Sequence, residues 1–170
     1  MKAALLCNGP SRVLYTPSDE YTFVMGCNVP WTDVDATTVV DGEMIKRWAE
    51  RHEIIQVPTY FSKDAWELAQ KIDDQFFKQW YAGLVKKEEY YHSSGHNAAE
   101  ALISLGYTDI DIFGCDSYFK KGTSSSTDEF VLREKGPNWQ LRAHDKMIGW
   151  KIRWQTIQQQ NPNVTLNFIK

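Results

Sequence analysis

The chain predicts one α/β domain, a mainly parallel sheet with helices on both faces. Strand-like apolar runs alternate with segments of helical period, the pattern of a sheet whose strands are joined by helical crossovers. Each run stops at a cluster of Asn, Asp, Gly or Pro, so the polar positions recur at one kind of element end. At 170 residues, with 42% hydrophobic and 24% charged side chains, the composition supports one core and gives no sign of a second domain.

Lys2–Cys7 is apolar throughout after its first residue and ends in Asn8-Gly9-Pro10-Ser11, which fits a strand covered on both faces and a tight turn. Tyr21–Cys27, ending at Asn28-Val29-Pro30, and Ala36–Val40, ending at Asp41-Gly42, read as two more strands. Glu43–Arg51 places Met44, Ile45, Trp48 and Ala49 on one helical face, and Glu53–Val57 reads as a fourth strand stopped by Pro58. Ser62 caps a long helix with Trp66, Ala69, Ile72, Phe76 and Trp80 on one face and an end near Gly83. Ser93 and Ser94 open the next helix, Ala98, Ala99, Leu102 and Ile103 give it an apolar face, and Gly106 closes it. Asp109–Phe113 is then a strand opening into Gly114-Cys115-Asp116. Lys120–Arg142 is too long for a connector and reads as a mobile lid. A helix follows with Met147, Ile148, Ile152 and Trp154, and Val164–Ile169 is a last strand, expected antiparallel at an edge. The whole is a Rossmann-like domain spanning residues 1–170.

A formal charge of −3 leaves no basic surplus for duplex nucleic acid. No apolar run approaches the ~18 residues of a membrane span, and the start MKAALLCNGPS is too soon broken for a secretory signal, so the protein is expected in the cytoplasm. Cys7, Cys27 and Cys115 lack metal-ligand spacing and read as free thiols used in packing. The seven Trp and eight Tyr exceed what a core requires and suit a binding site or an interface between copies of the chain.

Asn8, Asn28, Asp41 and Asp116 each follow a strand. Singly, such residues form turns by bonding their own backbone. In a parallel sheet all four meet on one rim, where ligands of open α/β sheets bind. The start of the Ser93 helix adds bare N–H groups and a positive dipole end, so Ser93-Ser94-Gly95 is an anion seat beside Asp116. Asn8-Gly9-Pro10-Ser11 lacks the lysine of a phosphate-binding P-loop and the rest of a dinucleotide fingerprint. His144 opens the helix after the long loop and can serve as general base. His52, His92 and His96 match no zinc spacing, so no metal is expected from them.

NGPS after the first strand, CN after the second, a Ser-Ser-Gly helix start and LGYTDIDIFGCDSYF together resemble the bacterial CMP-sialic-acid-dependent sialyltransferases of glycosyltransferase family 42. They are also similar to a broader nucleotide-binding family that includes archaeal 6-hydroxymethylpterin pyrophosphokinases, where a strand-end Asp like Asp41 recurs. The resemblance covers nearly the full chain but is thin between Gly42 and Tyr91. It implies that Asn8, Gly9 and Ser11 hold nucleotide phosphate and ribose, joined by Asn28, Ser93, Ser94 and Gly95, with His144 catalytic. Of the lid tyrosines that steady the departing phosphate in those enzymes, only Tyr118 has a counterpart, with Phe119 beside it. The chain is expected to lack the family's C-terminal membrane-associating extension, as a minimal version would that a phage or mobile genome encodes and places in the host cytoplasm. The expectation is metal-independent transfer of a sugar from a nucleotide sugar, a CMP-sugar favoured, to an unspecified acceptor. Two alternatives stay open: pyrophosphoryl transfer with Mg²⁺ at Asp41 and Asp116, and a binder that sequesters nucleotides without chemistry.

Overall fold

The computed structural model describes residues 1–51, 56–85, 93–119 and 144–170, the side chains of residues 51 and 144–147 excepted. The expected lid therefore lies outside the described residues, as do His52 and His92. Seven strands form one sheet in the order β5-β4-β3-β2-β1-β6-β7: β1 Lys2–Leu6, β2 Phe23–Cys27, β3 Ala36–Val39, β4 Thr59–Ser62, β5 Tyr81–Val85, β6 Asp109–Phe113 and β7 Thr165–Phe168. Every pairing is parallel. Among the described residues four helices accompany them: α1 Gly42–Arg51, α2 Lys63–Gln79, α3 Ser94–Ser104 and α4 His144–Gln160. No helix among the described residues is long and apolar enough to cross a membrane.

Strand alternation sorts the core into two faces. Ala3, Leu5, Met25, Ala36, Ile110 and Ile112 point to the face covered by α3 and α4, through Ala98, Ala99, Leu102, Trp154 and Ile157. Val39 and Phe61 point the other way, under Met44, Ile45 and Trp48 of α1 and Ala65, Ala69 and Phe77 of α2. On that second face Ala4, Leu6 and Phe113 are covered by Tyr15, Tyr21 and Trp31 from the connections around β2. From β1 the chain steps one way to β5 and then the other way to β6 and β7. Crossovers of one hand need opposite faces for opposite directions of travel, which is why α1 and α2 lie on one face and α3 and α4 on the other. The reversal puts a topological switch point between β1 and β6.

Five details depart from the sequence expectation. β7 is parallel, not antiparallel: 17 residues of α4 span about 25 Å and return the chain to the starting end of the sheet before β7 begins. Of the expected strand Glu53–Val57 only Gln56 and Val57 are described, and neither is in a strand. β4 begins after Pro58, whose carbonyl accepts the Thr37 N–H at 2.9 Å, so proline, with no N–H to give, precedes the strand. α2 ends at Gln79 and an edge strand, β5, occupies the ground expected to be helix. Within α2, Asp73 leaves helical geometry (φ −158°, ψ 80°) and its Oδ1 accepts the Phe76 N–H at 3.0 Å. This restart turns Phe77 into the core and leaves Ile72 40% exposed. Among the described side chains of α4, Trp154 and Ile157 are buried, while Ile148 and Ile152 face outward.

Candidate functional site

α3 starts at the expected serine pair, with Ser93 alone as its cap. Ser93 is the N-cap and Gly106, at φ +93°, ends the element. Ser94 and Gly95 stand in the first turn, where backbone N–H groups have no carbonyl four residues back. Three contacts fix this turn to the strand ends. Ser94 Oγ donates to Asn28 Oδ1 at 3.1 Å, Thr38 Oγ1 donates to the Ser94 carbonyl at 3.1 Å, and a Cβ at Gly95 would lie 3.0 Å from Cys7 Sγ. Asn28 holds φ +56°, a left-handed conformation that Asn tolerates better than most residues. Its N–H donates to the Thr38 carbonyl at 2.9 Å and its carbonyl accepts from Thr37 Oγ1 at 2.8 Å. Asn28, Thr37, Thr38 and Ser94 are thus one knot across β2, β3 and α3.

A second knot closes the switch point. The β1–β6 ladder continues past both strands: Cys7 N–H donates to Phe113 O at 2.8 Å and Gly9 N–H to Gly114 O at 2.7 Å. Beyond it, Asp116 Oδ2 accepts from Ser11 N–H and from Ser11 Oγ, both at 2.9 Å, and Ser11 Oγ accepts from Gly114 N–H at 3.1 Å. The loops are so close that a Cβ at Gly9 would lie 2.3 Å from Asp116 Oδ2 and from Gly114 O. Asp116, 2% exposed, is therefore a clamp on the β1 loop. Asn8 bridges the knots, its Nδ2 donating to Cys27 O at 3.2 Å.

The remaining candidates are less central. Asp41, exposed at the end of β3, is separated from Asp116 by three strand spacings, roughly 14 Å, so one Mg²⁺ with ligands at about 2.1 Å cannot take both carboxylates. Among the described residues no group of three or more His, Cys, Asp or Glu is placed to hold a metal ion. Tyr118 stacks on Phe168 at 3.8 Å and 11°, which holds the loop after β6 to β7. His144 is the first residue of α4, and its side chain lies outside the described set. The three cysteines cluster under α3. Contacts with Cys115 and then Cys27, with burial, push the Cys7 thiol well up, so it stays protonated and inert.

Sequence reasoning missed Thr37, Thr38 and His96. The first two are polar residues in an otherwise apolar strand, a legible hint of a buried hydrogen-bond role. His96 sits three residues after Ser93, the spacing of a capping box.

The chain matches no protein-family model, no curated protein and no solved structure.

Proposed function

We propose that the rim over β1, β2 and α3 binds a nucleotide or nucleotide sugar, its phosphate at the first turn of α3, and that the protein transfers the sugar with His144 as base. The observation that carries this is the locking of the first turn of α3, Ser94-Gly95, to Asn28 at the C-terminal edge of a parallel sheet. Asn8 and Ser11 belong to the same rim, in keeping with the sialyltransferase-like NGPS pattern. Topology favours His144 as the group above it. Trp150 lies level with the α3 cap through a contact to His96, and His144 is six residues earlier, about 9 Å further out along the helix. A neutral imidazole there would take the acceptor hydroxyl's proton while helix-start amides hold the leaving phosphate. The magnesium alternative loses ground because Asp116 is committed to Ser11 and lies too far from Asp41 to share an ion.

The test is calorimetric titration with CMP and a panel of other nucleotides against wild type, Asn28→Gly and Asn28→Asp. Glycine suits the left-handed backbone and removes only the side chain. Aspartate keeps the acceptor for Ser94 but puts a negative charge beside the seat, which should weaken binding about tenfold or more. Equal affinity in all three proteins places the nucleotide elsewhere. For turnover of whichever nucleotide sugar binds, His144→Ala should lower kcat by roughly 10²–10⁴ with affinity within about twofold.

A further inference from the structure

The loop after β1 carries a cation that the clamped seam does not use. Arg12 follows Ser11 in the short 3-10 turn Pro10–Leu14, and its backbone is fixed: its N–H donates to the Gly9 carbonyl at 3.1 Å and its carbonyl accepts the Tyr15 N–H at 3.0 Å. A Cβ at Gly114 would lie 3.1 Å from Arg12 Cβ, so the loop after β6 closes on the stem of the side chain. The guanidinium lies over the Trp31 ring, 5.2 Å from its centroid. Trp31 and Tyr15 pack edge-to-face at 6.2 Å and 87°, and Tyr15 packs the same way on Phe113 at 5.3 Å and 75°. The cation therefore rests on an aromatic stack that is anchored at the end of β6.

This support leaves the hydrogen-bonding edge of the guanidinium uncommitted. A cation–π contact takes up one flat face and none of the five N–H donors, which point outward in the plane. Three arginines have described side chains. Arg47 and Arg153 are ion-paired, to Glu43 and Glu100, whereas among the described residues no carboxylate or carbonyl accepts from the Arg12 guanidinium. The chain has 22 acidic against 19 basic residues, so the missing partner does not reflect a shortage of carboxylates. Those of the same loops are placed otherwise: Asp116 accepts from Ser11, Asp35 accepts the Val24 N–H at 2.7 Å, and Asp33 is exposed without pairing to Arg12. Tyr15 and Trp31 cover Leu6 and Phe113 on the face away from α3. Arg12 thus stands across the ends of β1 and β2 from the first turn of α3.

We propose that Arg12, laid flat on Trp31, is an oxyanion-binding residue of the rim, whose in-plane N–H groups take a phosphate or carboxylate of the bound ligand. The planar fork matches the paired oxygens of either group. The site itself does not depend on the nucleotide reading; only the source of the oxyanion, the nucleotide's phosphate or an acidic group on its sugar or acceptor, rests on it. The full chain is titrated with inorganic phosphate, CMP and cytidine as wild type, Arg12→Gln and Arg12→Lys. The Arg12 Nε–Hε cross-peak in NMR spectra, identified by its loss in Arg12→Gln, should move saturably with millimolar phosphate and stay in place with chloride at the same ionic strength. If the oxyanion is the nucleotide's phosphate, Arg12→Gln should weaken CMP about tenfold or more in calorimetry and leave cytidine within about twofold. Arg12→Lys should fall between, since it keeps the charge and loses the fork. A cross-peak that responds to phosphate, with CMP bound equally by wild type and Arg12→Gln, assigns the oxyanion to the sugar or acceptor. A cross-peak unmoved by both phosphate and CMP overturns the proposal, and so does an equal loss of CMP and cytidine affinity in Arg12→Gln. If CMP does not bind wild type, the nucleotide reading fails while the phosphate titration still judges Arg12; if Arg12→Gln does not fold, Arg12→Lys, which also lacks the Nε–Hε group, identifies the cross-peak.

Discussion

Replacing Ser11 by alanine and Asp116 by asparagine, singly and together, tests whether the switch point is a clamped seam. Ser11→Ala deletes the 2.9 Å hydroxyl bond to the Asp116 carboxylate and the acceptor that Gly114 N–H uses at 3.1 Å. A hydrogen bond to a charged group contributes about 1.5–3 kcal/mol, and an orphaned buried N–H costs about 1–3 kcal/mol. Partial access of water to Ser11 keeps the sum near the lower half, about 2–4 kcal/mol. Asp116→Asn leaves one acceptor oxygen but no charge and should cost about 2 kcal/mol. Both changes remove the same bond, so the double variant should fall short of additivity by about 1–2 kcal/mol. Urea denaturation supplies the free energies, and thermal midpoints should drop by roughly 5–15 °C for Ser11→Ala at this chain length. Nucleotide affinity of Asp116→Asn, measured well below its midpoint, should stay within about twofold. A cost under about 0.5 kcal/mol for either single change, or lost nucleotide binding at unchanged stability, would mean that Asp116 contacts the ligand and is not a clamp.

Gly95→Ala should destabilise by about 1–3 kcal/mol despite alanine's better helix propensity, because its Cβ lands 3.0 Å from Cys7 Sγ and 3.5 Å from Trp154 Cζ2. Made in a Cys7→Ala background the same change should recover at least about 1 kcal/mol, and an identical cost in both backgrounds refutes the steric account. Midway along β6, burial alone would raise the Asp111 carboxyl, but hydrogen bonds from Lys2, Asn167 and Tyr21 outweigh it and hold it below its ordinary 3.8. The unfolded chain then binds more protons in acid, so this contribution is complete above about pH 4 and is lost as pH falls further. Asp111→Asn should flatten the dependence of the urea midpoint on pH between about 2.5 and 5; an unchanged slope would exclude Asp111 as its source.

The unit from Ser93 to Phe113 was legible because every signal in it is local: a cap, an apolar face, a glycine at positive φ and a strand buried along its length. β1, β2 and β3 were legible for the same reason, as apolar runs ending in turn formers. β5 was not, because an edge strand with Tyr81 41% and Leu84 52% exposed has neither continuous nor alternating burial to show. The Asp73 restart in α2 was hidden since one acidic residue on an exposed face looks like any other. The seam joins residues 105 positions apart, and nothing around Ser11 or Asp116 announces the other. What the sequence did show, strand-end polar residues meeting at one rim, is a consequence of parallel topology; which become clamps is decided by contacts between distant loops.

That division bears on how a ligand would approach. The β1 loop is tied to β2 through Asn8 and to β6 through Gly9 and Ser11, so among the described residues the β1 and β6 loops run together at the switch point. The first-turn amides of α3 remain, set above the loop by Ser94 and Asn28 on one side and by His96 and α4 on the other. Groups already held by their neighbours lose little conformational freedom on binding, which favours affinity without a large contact area. The same fixity makes the seat sensitive to whatever moves α4, to which it is joined by His96 and by the Glu100–Arg153 ion pair.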